Sequence, residues 1–75
     1  MEKYKNLSGD SGVSAYEIGE DSLIVEFTNG SVYVYDYGSA GRSNIEEMKI
    51  LARTGRGLST FISQQVKNKY AKKLI

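Results

Sequence analysis

The stretch SLIVEFTNGSVYVYDY, residues 22 to 37, sets two alternating runs on either side of an Asn-Gly pair. In an extended strand successive side chains point to opposite faces, so Leu23, Val25 and Phe27 share one face while Ile24, Glu26 and Thr28 share the other. Asn29-Gly30 tolerates the positive φ of a tight loop, and the two runs are expected to pair as an antiparallel hairpin. Loop length then decides which side chains reach the core, because a slip of one residue reverses every face. A two-residue loop, Asn29-Gly30, sets Val25 opposite Val34 and Leu23 opposite Asp36, and turns Tyr33, Tyr35 and Tyr37 outward. A three-residue loop, Thr28-Asn29-Gly30, is a type I turn closed by a left-handed Gly30. It sets Phe27 opposite Ser31, Val25 opposite Tyr33 and Leu23 opposite Tyr35, and turns the tyrosines inward.

Two arguments favour the second register. A small domain gains from burying large rings, each worth roughly 150 to 250 Å² of surface, and the first register places the Asp36 carboxylate on the core face, where an unpaired charge is costly. Against it stand the preference of Asn-Gly for two-residue loops and the joint exposure of Ile24, Val32 and Val34. The expectation is tyrosines facing inward, their hydroxyls reaching the rim.

Upstream, VSAYEI at residues 13 to 18 reads as a short strand, and Gly19-Glu20-Asp21 as the turn into the hairpin. Residues 1 to 12, with Ser8-Gly9-Asp10-Ser11-Gly12, are polar enough to be expected as a flexible tail. Downstream, Gly38-Ser39-Ala40-Gly41 breaks the sheet, and Ser43 with Glu46 fits a capping box. Ile45, Met48, Leu51 and Ala52 then recur at helical spacing, and Gly55 suits a C-terminal cap. Leu58, Phe61, Ile62 and Val66 mark the apolar face of a second helix. Tyr70 is expected to cover the end of the core, and the helix to fray through Lys72 and Lys73. The fold class expected is α+β: a three-stranded antiparallel meander followed by two helices packed on one face, with residues 13 to 75 forming a single domain.

Composition removes several functions. The chain has no cysteine and no histidine, so disulfides, the usual zinc-ligand sets and imidazole-based catalytic triads are absent. No apolar run of bilayer length occurs, and the polar start lacks the apolar block of a signal peptide, so the chain reads as cytoplasmic with no membrane partner. Glu46 and Glu47 are explained by helix capping, and the serines near lysines have no distinctive spacing, so the reading is not an enzyme, with no cofactor and no metal. With 75 residues, stability has to come from close packing or self-association.

Charge is unevenly placed. Residues 1 to 47 carry all nine acids against three bases, whereas residues 48 to 75 carry seven bases and no acid. Such an asymmetry points to a polyanionic partner, or to halves that attract each other within the fold. Gly38-Ser39-Ala40-Gly41 has the letters of a GXXG clamp but follows a strand, and reads as a plain loop. Gly55-Arg56-Gly57 sits between two helices, where either the glycines merely allow a tight turn with the arginines solvated, or Arg53, Arg56 and the free amides of the second helix converge into an anion site.

The segments LIVEFTNGSVYVY, Ala52-x-x-Gly55 and Phe61-Ile62 through Val66-Lys67-x-Lys69-Tyr70 resemble the KTSC domain family over residues 11 to 75. These small modules occur alone in bacterial proteins and at the C-terminus of some lysyl-tRNA synthetases. The chain departs from the family in a longer connection between Gly55 and Phe61 and in Ser63 and Gln64 after Phe61-Ile62. The resemblance implies a non-catalytic module with RNA or tRNA as partner. On the residues, Arg53, Arg56, Lys67, Lys69, Lys72 and Lys73 are the candidates for phosphates and Tyr70 for stacking on a base. The alternative is a protein-interaction module or homodimer using the Ile24, Val32 and Val34 face or a sheet edge.

Overall fold

In the computed structural model, which describes Met1 to Ile75, the hairpin loop has three residues. Phe27 N–H donates to Ser31 O at 2.8 Å and Gly30 N–H to Phe27 O at 2.9 Å, with Gly30 at φ +91°. Strand β3, Ser22–Phe27, therefore pairs with β4, Val32–Asp36, in the tyrosine-inward register: Val25 faces Tyr33 and Leu23 faces Tyr35.

Strand β2, Val13–Ile18, runs antiparallel to β3 with a bulge at Ser14. Residues three apart on a regular strand point to opposite faces, but the extra residue brings Val13 and Tyr16 onto the same, buried side. The Ser14 hydroxyl donates to Glu26 O at 3.2 Å across the irregular pair.

The meander is the centre of a larger sheet. Five antiparallel strands lie in sequence order, with β1, Glu2–Lys3, at one edge and β5, Lys72–Lys73, at the other. The segment expected as a flexible tail is thus built into the fold. Glu2 pairs with Tyr16 and Lys3 with Ala15, Tyr4 is only 2% exposed, and Leu7 N–H donates to Gly55 O at 2.7 Å. Its polar composition concealed one ring, Tyr4, that crosses to the helices and accepts a hydrogen bond on its hydroxyl from Leu58 N–H at 3.3 Å.

Helices lie on one face of this sheet, and their boundaries differ from expectation. The capping box forms at Asp36 and Ser39, not at Ser43 and Glu46. Ser39 N–H donates to Asp36 Oδ1 at 2.8 Å while Asp36 N–H donates to Ser39 Oγ at 3.0 Å, opening the short helix α1, Tyr37–Ala40. Helix α2, Arg42–Thr54, begins directly behind it at Gly41 with no side-chain cap. Ile45, Met48 and Ala52 face the sheet and are fully buried. Gly55 ends the helix at φ +85°, its N–H donating to Leu51 O at 2.9 Å.

Helix α3, Leu58–Phe61, continues as a π-helical turn, Ile62–Val66, which ends the helical segment. It does not reach Tyr70 or fray through the lysines. Instead the chain returns to the sheet, where Ala71 N–H donates to Val34 O at 2.6 Å and Leu74 N–H to Val32 O at 2.7 Å. Lys72 and Lys73 are consequently strand residues, paired with Val34 and Tyr33.

Removing the hydroxyl in Tyr4→Phe leaves the Leu58 amide without a partner, a loss of about 1–3 kcal/mol measurable by urea unfolding. Gly55→Ala is expected to cost more than Gly30→Ala. Both glycines are left-handed, worth about 1–2 kcal/mol each, but only at Gly55 does a Cβ fall 2.5 Å from Lys5 Cβ, whereas Gly30 meets open space. Equal losses in the two variants would show that the first segment does not press on the end of α2.

Candidate functional site

Because the π-helical turn stops at Val66, the helical layer leaves the hairpin end of the sheet partly uncovered. The gap is a cleft of about 440 Å³. Tyr33 and Tyr35 project into it from β4, Phe27 and Asn29 come from the hairpin end, Ile62 from the π-helical turn, and Lys67 and Tyr70 from the returning chain.

Its aromatic side chains are in mutual contact. Tyr70 meets the Tyr33 ring edge-on, with centroids 4.8 Å apart, and Tyr35 at 6.4 Å, while Phe27 packs against Tyr33 at 5.7 Å. Edge-to-face geometry sets the positive rim of one ring on the negative face of the next, which fixes the rings' orientation beyond simple burial. Tyr70 covers the end of the core as expected, yet remains 37% exposed. Burial, reinforced by the neighbouring Tyr33 and Tyr35's other neighbour Tyr70, pushes the Tyr35 phenol up to about 12. It is therefore a neutral hydroxyl at physiological pH.

Cations flank this aromatic cluster. Lys67 lines the cleft, and Lys73 Nζ lies 5.7 Å above the Tyr33 ring centroid, where the ring quadrupole attracts it. The other residues expected at a nucleic-acid site are dispersed. Lys69 is exposed on the turn between Lys67 and Tyr70 but does not line the cleft. Lys72, opposite Val34, projects from the sheet face away from the helices. Arg53 and Arg56 are exposed near the α2–α3 junction and do not line the cleft either. The anion site expected there loses its leading amide, since Leu58 N–H is taken by the Tyr4 hydroxyl.

No protein-family model, curated protein or solved structure matches this chain. The chemistry of the cleft is read from its own side chains. It combines flat aromatic rings, an open mouth and the Lys67 ammonium, with Lys73 beside it over the Tyr33 ring, a set suited to a planar ring attached to an anionic group. No cluster of three or more His, Cys, Asp or Glu side chains is placed to hold a metal ion, and no helix is long and apolar enough to cross a membrane.

A second polar cluster ties α2 to the sheet. The Tyr37 hydroxyl donates to Glu46 Oε2 at 2.6 Å, and Lys49 Nζ donates to Glu20 O at 2.7 Å while pairing with Glu46 Oε2 at 3.0 Å. Lys49 is buried, and the Arg42 guanidinium lies 5.8 Å over the Tyr37 ring. The bond from Tyr37, followed by that from Lys49, holds the Glu46 carboxyl below its ordinary value, and the same bond raises the Tyr37 phenol. Every charge here has a partner, which accounts for the cluster structurally. Glu46 was expected to cap the helix and instead fastens it.

Of the residues expected at a nucleic-acid site, Lys67 and Tyr70 line the cleft and Lys73 stands beside it, whereas Phe27, Tyr33 and Tyr35, which also line it, were expected in the core. Alternation assigned them to the inner face, and only the early end of the helical segment shows that this face is incompletely covered.

A spectrophotometric titration in alkali should show one tyrosine ionising near 12, later than an ordinary phenol, and Tyr35→Phe should remove that step. Ionisation favours the unfolded chain here. The stabilising contribution of neutral Tyr35 is complete below the ordinary phenol range, near 10, and is lost as pH rises through about 12.

Proposed function

We propose that the protein is a non-catalytic module that binds single-stranded nucleic acid, RNA foremost, in the tyrosine-lined cleft. A base stacks on Tyr70 and the accessible part of Tyr33, and the adjoining phosphates lie on Lys67, Lys69 and Lys73. The observation that carries this reading is the convergence of Tyr33, Tyr35 and Tyr70 with Lys67 at one open cleft, with Lys73 beside it over the Tyr33 ring. Bases of any identity present a flat π-face, so such a site is sequence-tolerant and depends on backbone charge for much of its affinity. The excess of bases in residues 48 to 75 supports the same ligand class, as does the resemblance to KTSC domains, which adds tRNA to the expected partners. Arg53, Arg56 and Lys72, lying off the cleft, contribute long-range attraction.

Fluorescence anisotropy with a short labelled single-stranded RNA at low salt tests this. Tyr70→Ala is expected to weaken binding about 5- to 150-fold, the range for one stacked base. Lys67→Glu should also weaken it, and two or three phosphate contacts should give a log–log salt slope of roughly −1.4 to −2. Absence of binding to both single-stranded RNA and DNA at low salt, or binding indifferent to Tyr70→Ala and Lys67→Glu, overturns the proposal.

A further inference from the structure

The sheet face turned away from the helices carries a row of four residues, Glu17, Ile24, Val34 and Lys72, side by side across β2 to β5. The adjacent row runs Lys3, Ala15, Glu26 and Val32, of which Val32 is already covered, at 5% exposed, and Leu74 extends it through its N–H bond to Val32 O. Ile24 and Val34 are partly exposed, Leu74 is 46% exposed, and Glu17 and Lys72 are open to solvent. The first row therefore reads acid, apolar, apolar, base, and its charges are separated by three strand spacings, about 14 Å.

We propose that this face is the interface of a two-fold homodimer, with the sheets packed face to face and the axis parallel to the strands. The order of charges selects that axis. Rotation about a line parallel to the strands exchanges β2 with β5 and β3 with β4. Glu17 of each copy then meets Lys72 of the other, Ile24 meets Val34, and Ala15 meets Leu74. A two-fold axis running across the strands would set Glu17 on Glu17 and Lys72 on Lys72, which like-charge repulsion opposes. A self-complementary patch of this kind is what an isologous interface requires. Aligned sheets also pack at a small angle that their twist permits.

The two ion pairs occupy the flanks of the apolar strip, at a rim open to water, where they set register more than affinity. Glu26 lies inside the face, beside the apolar Ile24 and Val34 strip, so its carboxylate weakens the association. The clefts point outward on both copies. Dimerisation and nucleic-acid binding are thus separable, and either holds if the other fails.

Sedimentation velocity on the full chain from about 10 μM to about 1 mM tests the proposal, with circular dichroism to verify that each variant is folded. The expected result is a reversible dimer that Ile24→Lys makes monomeric. Glu17→Lys and Lys72→Glu should each weaken it roughly tenfold, whereas the double exchange restores the wild-type association. Glu26→Leu should tighten it. A monomer throughout overturns the proposal, as does a dimer indifferent to Ile24→Lys, single charge variants without effect, or a double exchange that fails to recover.

Discussion

The hydrogen bond from Phe27 N–H to Ser31 O sets the parity of the sheet. With it formed, every odd-numbered residue from Leu23 to Phe27 and from Tyr33 to Tyr35 faces the helices, and the apolar side of α2 meets Leu23, Val25 and Tyr35. Gly30 makes the bond available by turning left-handed at the third loop position. Moving the loop by one residue would place Asp36 among these side chains and turn Tyr33 and Tyr35 to water, and the burial that stabilises so short a chain would be lost.

This parity governs the edges too. A three-stranded meander leaves two strands with unpaired amides and carbonyls, an arrangement that invites pairing with other chains. Here β1 occupies one edge and β5 the other, each only two residues long. Each does more than cover. β1 delivers Tyr4 to the start of α3, and the approach to β5 delivers Tyr70 to the rim of the cleft. Loss of either edge would therefore be felt in the helical layer.

Much of the centre was legible from the amino acids. Alternation located β2, β3 and β4, helical spacing located Ile45, Met48 and Ala52, and Gly55 marked the end of α2. The edges were hidden for a physical reason: two residues cannot display a period of two, and Glu2-Lys3 and Lys72-Lys73 are as polar as any loop. The helix start was misplaced because Ser43 and Glu46 have the spacing of a capping box, yet Asp36 and Ser39 share that spacing and lie nearer the strand end. At the site, basic and aromatic residues after Val66 were visible as a group. The contribution of β4 was not, because facing inward was equated with being covered. Tyr35 is core and Tyr33 is half open, on the same face and one strand repeat apart.

Lys72 and Lys73 illustrate how much a two-residue strand carries. Neighbours in sequence, they belong to opposite surfaces: Lys73 stands over the Tyr33 ring and Lys72 beside Val34. The backbone between them is one short ladder, and strand alternation alone sends the two ammonium groups to opposite sides of the sheet. One two-residue strand thereby supplies a cation to each of two surfaces that have no side chain in common.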